Sequence, residues 1–515
     1  MRFSNMRWHR LTLAIPLVPT ALALAVRLYG LSDKPLWLDE IITQRRANRP
    51  ISDLIANSLS NKHFPTYFLF VRAFDAPMID EWMLRLPSAI FGSVSVLLVV
   101  LIATEVRSPR AGAVAGILMA LSPLEVQFGQ EARSYALVSC FVLLALWGLV
   151  RIAHKASSDV SSSNRPSGQI GSWLAFTIGT IGALNILLVA ASWLITSNLA
   201  AAAILRHSGP KRAEFVRKWA LTQAIIVLTW IPGLAAIGLA VHEDPLRGLR
   251  WIPPTTLDHV WSVFSAVYLF RVSNVITFEL LPISIPGFGV AVVILALLGA
   301  WRLKSSPTFL AIIGLAAIAM PIAILVVSIF HPILVPRYLI LSTGPFFVLV
   351  GIGATAALPY RLFPLAIAAI VAFGIANLAP YYRSETKPRW DLAAAYLAAN
   401  VQPGDSVITN DHMAGYVLAA YGDRYHLDRK MLSVAPHTSD ATMRYAQEGP
   451  IWVVYGRTGQ GLIDTEETYL QKWLALGSPV CKLRFGLHVV VLRFEPAALG
   501  QPGKTRRALS CNDQQ

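Results

Sequence analysis

Two adjacent carboxylates, Asp39 and Glu40, follow the first long apolar stretch of the chain. A pair of this kind can act as a general base, ligate a metal ion or cap the helix that follows. Acidic residues favour a first helical turn, where they offset the partial positive charge of the free N–H groups. The spacing alone therefore favours the cap, and the chemistry of the pair depends on its surroundings.

A third carboxylate and three arginines also stand at the ends of apolar segments: Glu131, Arg85, Arg133 and Arg337. Each is ambiguous alone, because an arginine at such a boundary often only places its charged end in interfacial water. If all of them lie at one depth on one side of a membrane, they indicate a polar pocket. Guanidinium groups there suit a phosphate, since two N–H groups can bind two of its oxygens.

The composition is that of a membrane protein. The chain has 515 residues, of which 55% are hydrophobic and 14% are charged, and its mean hydropathy is +0.54. Soluble proteins carry about 25% charged residues, and apolar runs of about 18 residues can cross a bilayer. The net charge of +15 needs no nucleic acid, because Lys and Arg collect in cytoplasmic loops. We expect the lipid bilayer as a partner and no nucleic acid.

Basic loops predict the direction of each crossing. Arg2, Arg7 and Arg10 precede the first apolar run, and no small-residue cleavage site follows, which indicates an uncleaved span that starts in the cytoplasm. With every short basic loop inside, the chain has about eleven spans, a cytoplasmic N-terminus and an outer C-terminal part. Residues 173–205 are too many for one ordinary membrane span and barely enough for two. We take two spans with a turn near Asn185, since a single one would invert everything downstream.

This topology places two long loops on the outer face, residues 31–81 and residues 242–280. The first loop carries Asp39 and Glu40, and its apolar stretch at 65–74 is too short to cross, so we expect a helix on the membrane surface. We divide the chain into a transmembrane module, residues 1–380, and a domain outside the membrane, residues 381–515.

The C-terminal part has the pattern of a small α/β domain. Residues 391–399 predict an amphipathic helix, and short apolar runs at 406–409, 451–455 and 489–494 predict strands. The three cysteines show no zinc or redox spacing. On the oxidising side of the membrane Cys481 and Cys511 could form a disulfide, or they could remain two free thiols.

In order and spacing, the motifs around these residues resemble bacterial members of glycosyltransferase family 39. These are relatives of the dolichyl-phosphate-mannose protein mannosyltransferases and of the aminoarabinose lipid A transferases, and the match is closest over residues 27–151. The motifs are Trp37-Leu-Asp-Glu40, His63-Phe-Pro-Thr-Tyr67, Arg85-Leu-Pro-Ser-Ala-Ile-Phe-Gly92, Leu121-Ser-Pro123 and Gln130-Glu-Ala-Arg-Ser-Tyr-Ala-Leu137, with weaker echoes at Trp251-Ile-Pro-Pro254, Pro336-Arg-Tyr338 and Lys387-Pro-Arg-Trp390. The resemblance implies a mainly α-helical, polytopic GT-C fold of about eleven spans.

The resemblance also implies an inverting glycosyltransferase of the outer face. Its donor would be a hexose or pentose on a polyprenyl phosphate, and its acceptor a hydroxyl of a lipid, glycan or protein. Asp39 matches the family's catalytic aspartate, which accepts the proton of the acceptor hydroxyl, and Glu40 would orient it or the acceptor. The expected phosphate-binding residues are Arg85, Arg133 and Arg337. The expected substrate contacts are Glu131 (which could instead hold Arg133), His63, Tyr67, Tyr135 and Tyr338.

Three points stay open. Phe64 stands where the family usually has the first proline of its His-Pro-Pro-Leu-Tyr motif, which leaves the exact role of His63 at the substrate open. Two carboxylates could help to hold a divalent cation but are too few to specify one, so no cofactor is assigned. A transporter or flippase of a lipid-linked saccharide is the alternative function. Such proteins usually carry internal repeats, and the first outer loop has no second copy.

Overall fold

The computed structural model describes residues 16–74, 80–157, 166–206, 212–240, 252–428, 432–434, 449–458, 466–475 and 477–495. The predictions made for the basic N-terminal segment, Trp251 and Cys511 lie outside these residues.

Helices make up most of the described chain, and five strands follow near its end. The helices are α1 (Pro16–Leu28), α2 (Leu38–Ala47), α3 (Ile51–Ser60), α4 (Thr66–Arg72), α5 (Glu81–Val106), α6 (Pro109–Ala120), α7 (Pro123–Gly129), α8 (Tyr135–Ser157), α9 (Pro166–Leu184), α10 (Ser192–Arg206), α11 (Arg212–Ala240), α12 (Leu257–Tyr268), α13 (Phe288–Arg302), α14 (Pro307–Phe330), α15 (Pro336–Leu339), α16 (Thr343–Ala357), α17 (Phe363–Arg383), α18 (Trp390–Asn400), α19 (His412–Tyr425) and α20 (Glu466–Leu474). The strands are β1 (Ser406–Thr409), β2 (Leu432–Val434), β3 (Ile451–Gly456), β4 (Cys481–Arg484) and β5 (Val489–Phe494).

The chain is a multi-pass membrane protein. Within the described residues, eight helical segments are long and apolar enough to cross a bilayer, and α6 with α7, bent by 63°, makes a ninth if the pair is one span. Two shorter apolar helices, α1 and α9, correspond to the remaining predicted spans. Because α9 ends at Leu184 and a 3-10 helix begins at Leu188, the chain turns at Asn185 as expected. Each predicted span therefore has a helical counterpart.

Glycines let the long helices approach closely. A Cβ atom at Gly299 of α13 would overlap the carbonyl of Leu349, and one at Gly353 of α16 would overlap the carbonyl of Leu295. Small residues at helix contacts are typical of membrane bundles, where backbones pack directly against each other. The buried α16 is held in the centre of the bundle in this way.

The C-terminal residues form a five-stranded sheet in the order β2-β1-β3-β5-β4. Strands β2, β1 and β3 run parallel, while β5 is antiparallel to both β3 and β4. Side chains alternate between the faces of a sheet, so Ile408, Val453 and Leu492 pack with Trp473 of α20, whereas Trp452 joins the core that includes α18 and α19. The predicted helix and three strands are confirmed. Strands β2 and β4 and helices α19 and α20 were not predicted.

One cysteine of this domain is oxidised. Cys481, at the start of β4, is disulfide-bonded, so the alternative of a free thiol is wrong for this residue. Cys140 in α8 is free and buried.

The C-terminal domain contacts the first loop directly. The Tyr421 hydroxyl of α19 accepts the Leu36 N–H at 2.6 Å and donates to the Leu36 carbonyl at 3.2 Å. Arg424 also pairs with Glu81 at 2.9 Å. Helix α19 therefore fixes the extended segment that leads into α2.

Replacing Gly456 by Ala is expected to destabilise the C-terminal domain, because the new Cβ would overlap the buried Trp390 ring. Overpacking of this kind costs about 1–3 kcal/mol. The matched control is Gly422→Ala in α19, where the nearest atom lies 3.4 Å away and alanine favours the helix by about 0.5–1 kcal/mol. Limited proteolysis of the two purified variants measures the difference, and equal cleavage rates would contradict this packing.

Candidate active site

The acidic pair lies in the first turn of α2. Trp37 is the N-cap residue with extended backbone, and Asp39 and Glu40 follow it. Glu40 accepts the Trp37 N–H at 3.5 Å, so the cap interpretation holds for this carboxylate. The two side chains nevertheless enter different clusters, because consecutive helical residues do not face the same way.

Glu40 is the anion at the centre of a fully buried charge cluster. Its side chain is 0% exposed. Its oxygens accept from Arg85 Nε at 2.7 Å, Arg85 Nη2 at 2.9 Å, Lys387 Nζ at 2.9 Å and the Ala132 N–H at 3.0 Å. Burial raises the pKa of Glu40, but Arg85 and Lys387 outweigh it and hold that pKa below its ordinary value. These contacts occupy the carboxylate, and substrate has no free oxygen of Glu40 to bind.

Arg85 directs its donors at protein acceptors. Besides its two bonds to Glu40, it donates to the carbonyls of Leu31, Lys34 and Pro35 at 2.8–2.9 Å. A guanidinium group has five N–H donors, and all five are used. Arg85 therefore fixes the segment before α2, and in this arrangement all of its N–H groups face protein acceptors rather than an open site.

Asp39 forms the second cluster, with two arginines at one oxygen. Its Oδ2 lies 2.9 Å from Nη1 of Arg337 and 3.7 Å from Nη2 of Arg133. Burial raises the pKa of Asp39, but Arg133 and Arg337 outweigh it and hold the pKa below its ordinary value. The carboxylate keeps 14% of its side-chain surface exposed. Asp39 is thus the accessible member of the pair.

Glu131 is placed beside Lys387 rather than Arg133. Its carboxylate lies 4.0 Å from Lys387 Nζ and accepts no hydrogen bond from the part of the chain that the structure describes. Burial raises its pKa to about 7, against the charge of Lys387. Among the described residues, neither Glu131 oxygen accepts a hydrogen bond from Arg133, so the contact between Glu131 and Arg133 considered from the sequence is not formed. Lys387 itself was missed as a site residue, and the only signal for it was the weak motif around Trp390.

The remaining expected residues surround Asp39 and its arginines. His63 is half-buried, and desolvation together with Arg133 and Arg46 lowers its pKa to about 3, so its imidazole is neutral at physiological pH. Tyr67 and Tyr135 lie near Arg133, and Tyr338 adjoins Arg337. The predicted site residues thus fall into two groups. Arg85, Glu40 and Glu131 lie around Lys387, and the others lie around Asp39: Arg133, Arg337, His63, Tyr67, Tyr135 and Tyr338.

The acidic residues do not resemble a metal site. Among the residues that the structure describes, no group of three or more His, Cys, Asp or Glu could hold a metal ion. Asp39 Oδ2 and both oxygens of Glu40 contact cationic side chains, so these three oxygens do not fit the divalent cation considered from the sequence.

Comparisons with known proteins agree with the motifs. Residues 63–233 match the family model described as dolichyl-phosphate-mannose-protein mannosyltransferase. The fold is similar to ArnT from Cupriavidus metallidurans in the apo state, with 15% identity and a TM-score of 0.55 over 95% of this chain and 98% of that chain. The structure of the same ArnT bound to undecaprenyl phosphate is 14% identical, with a TM-score of 0.55 over 93% of this chain and 97% of that chain. Among curated proteins the sequence has no significant match. The expected family resemblance and GT-C fold are confirmed.

We expect Glu40→Gln to destabilise the protein strongly, because it leaves Arg85 and Lys387 buried without their anion. Breaking a buried pair typically costs about 3–5 kcal/mol. The double variant Glu40→Gln/Lys387→Met lacks one of the two unpaired cations. Its loss of stability should therefore be smaller than the sum of the losses in the two single variants. Thermal unfolding in detergent measures this cycle.

The control for this prediction is Glu385→Gln, which removes a carboxylate that is 42% exposed and pairs with Arg389. It should change stability by less than about 1 kcal/mol. Strict additivity of the Glu40 and Lys387 losses would argue against a cluster that acts as one unit.

Proposed function

We propose that the chain is an inverting glycosyltransferase that moves a sugar from a polyprenyl phosphate to an acceptor hydroxyl on the outer face of the membrane. The observation that carries the proposal is the single Asp39 oxygen shared by Arg133 and Arg337. It combines a proton acceptor with phosphate-binding groups in one place. The likeness to ArnT, one structure of which is bound to undecaprenyl phosphate, supports this class of donor.

Two arginines at one site match the charge that develops in this reaction. The donor is a phosphodiester with one negative charge, and the departing polyprenyl phosphate is a monoester that carries up to two. Groups aimed at developing charge stabilise the transition state more than the ground state. Arg133 and Arg337 are the proposed phosphate ligands, while Arg85 holds their surroundings in place.

Asp39 is the proposed base. The acceptor oxygen attacks the anomeric carbon from the side opposite the phosphate, and its proton passes to the Asp39 carboxylate. The bond between the anomeric carbon and the phosphate oxygen breaks, and its electron pair leaves with the polyprenyl phosphate. One displacement inverts the configuration of the sugar. Glu40 positions this turn of α2 without touching substrate.

The arrangement without substrate also predicts an order of events. Arg133 and Arg337 lower the pKa of Asp39, which makes the carboxylate a weak base. A donor phosphate competes for the same guanidinium N–H groups, and their transfer to phosphate releases Asp39 and raises its pKa. Donor binding thus prepares the base for the acceptor, whose identity as lipid, glycan or protein the proposal leaves open.

Asp39→Asn should reduce sugar transfer at least about 100-fold, because the amide keeps the volume but accepts no proton. Asp33→Asn, at an exposed position of the same loop, is the matched control and should keep wild-type transfer. The measurement is transfer from undecaprenyl-phosphate-linked sugars by purified protein in detergent. Wild-type turnover by Asp39→Asn would refute the proposed base. Translocation of the lipid-linked sugar in proteoliposomes that is unimpaired by Asp39→Asn would instead favour a flippase.

Replacing Arg133 by Gln should shift the acid limb of the pH profile of kcat/KM to higher pH. The base works only when deprotonated, so activity falls as the pH drops through the pKa of Asp39. Without the Arg133 charge that pKa rises, and activity is lost at a higher pH. Arg49→Gln, which changes an exposed arginine, should leave the limb in place. If the acid limb of Arg133→Gln stays at the wild-type pH, the group that titrates there is not Asp39.

A further inference from the structure

Arg46 lies on the same face of α2 as Asp39, about two helical turns further along. Asp39, Thr43 and Arg46 are spaced four and then three residues apart in this helix, and residues at these spacings share a face. With a rise of about 1.5 Å per residue, the two ends of this row are about 10 Å apart along the axis. Arg133 covers the first part of the row, since its Nη1 lies 3.3 Å from the Asp39 carbonyl and 3.4 Å from the Thr43 hydroxyl. A ligand that lies along this face is therefore within reach of both Asp39 and Arg46.

The guanidinium group of Arg46 is buried without being neutralised. Arg46 is 6% exposed. Its Nε donates to Asn57 Oδ1 at 2.9 Å, and its Cζ lies 4.6 Å from the centre of the Phe68 ring. Neither partner carries a negative charge, and Nη1 is buried with no acceptor in the described part of the chain. Because a buried charge and a buried N–H without an acceptor are both costly, this arginine favours a ligand that supplies an anionic oxygen.

The charges around Arg46 leave it without an anion of its own. Burial and the positive charge of Arg133 together lower the pKa of Arg46 to about 10, and the attraction of Asp39 offsets only part of this shift. Asp39 is already paired with Arg133 and Arg337, so three guanidinium groups share one carboxylate. The proposed donor phosphodiester adds one negative charge, which still leaves one positive charge unmatched. The arrangement therefore has the charge for a second anion beside that of the donor.

The position of Arg46 in the last turn of α2 does not explain its charge. Cations in a last turn commonly offset the partial negative charge of the free carbonyls, and both Arg45 and Arg46 stand there. Arg72 of α4 already donates to two carbonyls at the end of α2, at 2.7 Å and 3.0 Å. Arg45 lies 3.7 Å from Asp423 of α19. Of these two consecutive arginines, Arg46 is the one with no carboxylate within ion-pair distance in the described chain.

His63 connects this row of residues to the surface. Its pKa responds to Arg133, Arg46 and Asp39, so its ring lies near all three. The His63 side chain is half-buried, and its imidazole is neutral at physiological pH. A ligand can therefore approach the region between Asp39 and Arg46 at His63 without meeting a further positive charge on this residue.

We propose that Arg46 binds an anionic group of the acceptor, a phosphate or a carboxylate, at a site separate from that of the donor phosphate. The inference rests on the proposed function for the identity of this ligand as the acceptor. The acceptor presents its hydroxyl to Asp39 and carries its anion about 10 Å further along α2. The anion takes no part in the bond changes. The acceptor is therefore an acidic molecule, and neutral hydroxyl compounds are poor substitutes for it.

The test uses glucose 6-phosphate and glucose as probes, which differ only in the phosphate. Their binding to the full-length protein is measured by titration calorimetry in neutral detergent, with saturating undecaprenyl phosphate to occupy Arg133 and Arg337. Arg46→Gln should bind glucose 6-phosphate at least about tenfold more weakly than the wild type, because a hydrogen bond between charged groups is lost. Glucose should bind the wild type at least about tenfold more weakly than its phosphate. The matched control is Arg45→Gln, which removes the same charge one residue earlier and should keep the wild-type affinity.

Thermal unfolding separates a binding role of Arg46 from a structural one. Since the charge of Arg46 is buried without an anion, Arg46→Gln should unfold at the wild-type temperature or above it when no ligand is present. Glucose 6-phosphate should raise the unfolding temperature of the wild type but not that of Arg46→Gln, because only the wild type binds it. A lower unfolding temperature of ligand-free Arg46→Gln would show that Arg46 holds the fold, and would overturn the inference.

A second arm tests whether the site belongs to the donor. Arg46→Gln should change the affinity for undecaprenyl phosphate by less than about threefold, because charges about 10 Å apart at an exposed site are screened. A larger loss would assign Arg46 to the donor phosphate and overturn the inference.

The outcomes separate this inference from the proposed function. Equal affinity of the wild type and Arg46→Gln for glucose 6-phosphate overturns the anion site even if the protein transfers sugar, and so does a wild type that fails to bind this probe at about 10 mM. Binding that depends on Arg46, in a protein that transfers no sugar, supports the anion site and refutes the transferase.

Discussion

The geometry of the site depends on one buried carboxylate, that of Glu40. It joins four parts of the chain, because it binds Arg85 of α5, the Ala132 N–H before α8, Lys387 after α17, and its own helix α2. Burying charge is costly unless every partner is in place, so these segments adopt their positions together or not at all. The position of Asp39 is fixed as a consequence, since it occupies the same helical turn. The two adjacent carboxylates thus have different roles: the enclosed Glu40 holds the structure together, and the partly exposed Asp39 pairs with Arg133 and Arg337.

The parts of the structure that follow from local sequence were predicted well. Apolar runs predicted the helices of the bundle, the turn at Asn185 and three strands, because each signal lies within its own segment. The role of Arg85 was not predictable in this way. Its type and position suit a phosphate, and only the folded loop shows that three carbonyls and Glu40 use all of its donors. Lys387 was missed for a related reason, since 347 residues separate it from Glu40 and the charge alone gives no partner. Strand β2 is three residues long, which is too short for a pattern.

In the proposed mechanism, the Asp39 site combines a base and a phosphate-binding group, which are often separate in enzymes. A base works best when its pKa is near the working pH, and phosphate binding needs fixed positive charge, which lowers the pKa of a nearby carboxylate. Because the arginines contact the Asp39 carboxylate, that carboxylate and a donor phosphate compete for the same guanidinium N–H groups. The proposed order of binding follows from this competition. The half-buried, neutral His63 adds no charge to this competition, although histidine is the residue most often expected to exchange protons at neutral pH.

The contact between Tyr421 and Leu36 has a consequence for protein engineering. Because the hydroxyl bonds both the N–H and the carbonyl of Leu36, the domain outside the bundle supplies a structural part of the loop that carries Asp39. A hybrid made by exchanging this domain between relatives would therefore alter the loop as well, unless the hydroxyl of α19 and its backbone partner were transferred as a matched set. A junction placed at the end of α17 would divide the chain into two parts of sequence. The two parts are not structurally independent, because the hydrogen bonds between Tyr421 and Leu36 join them.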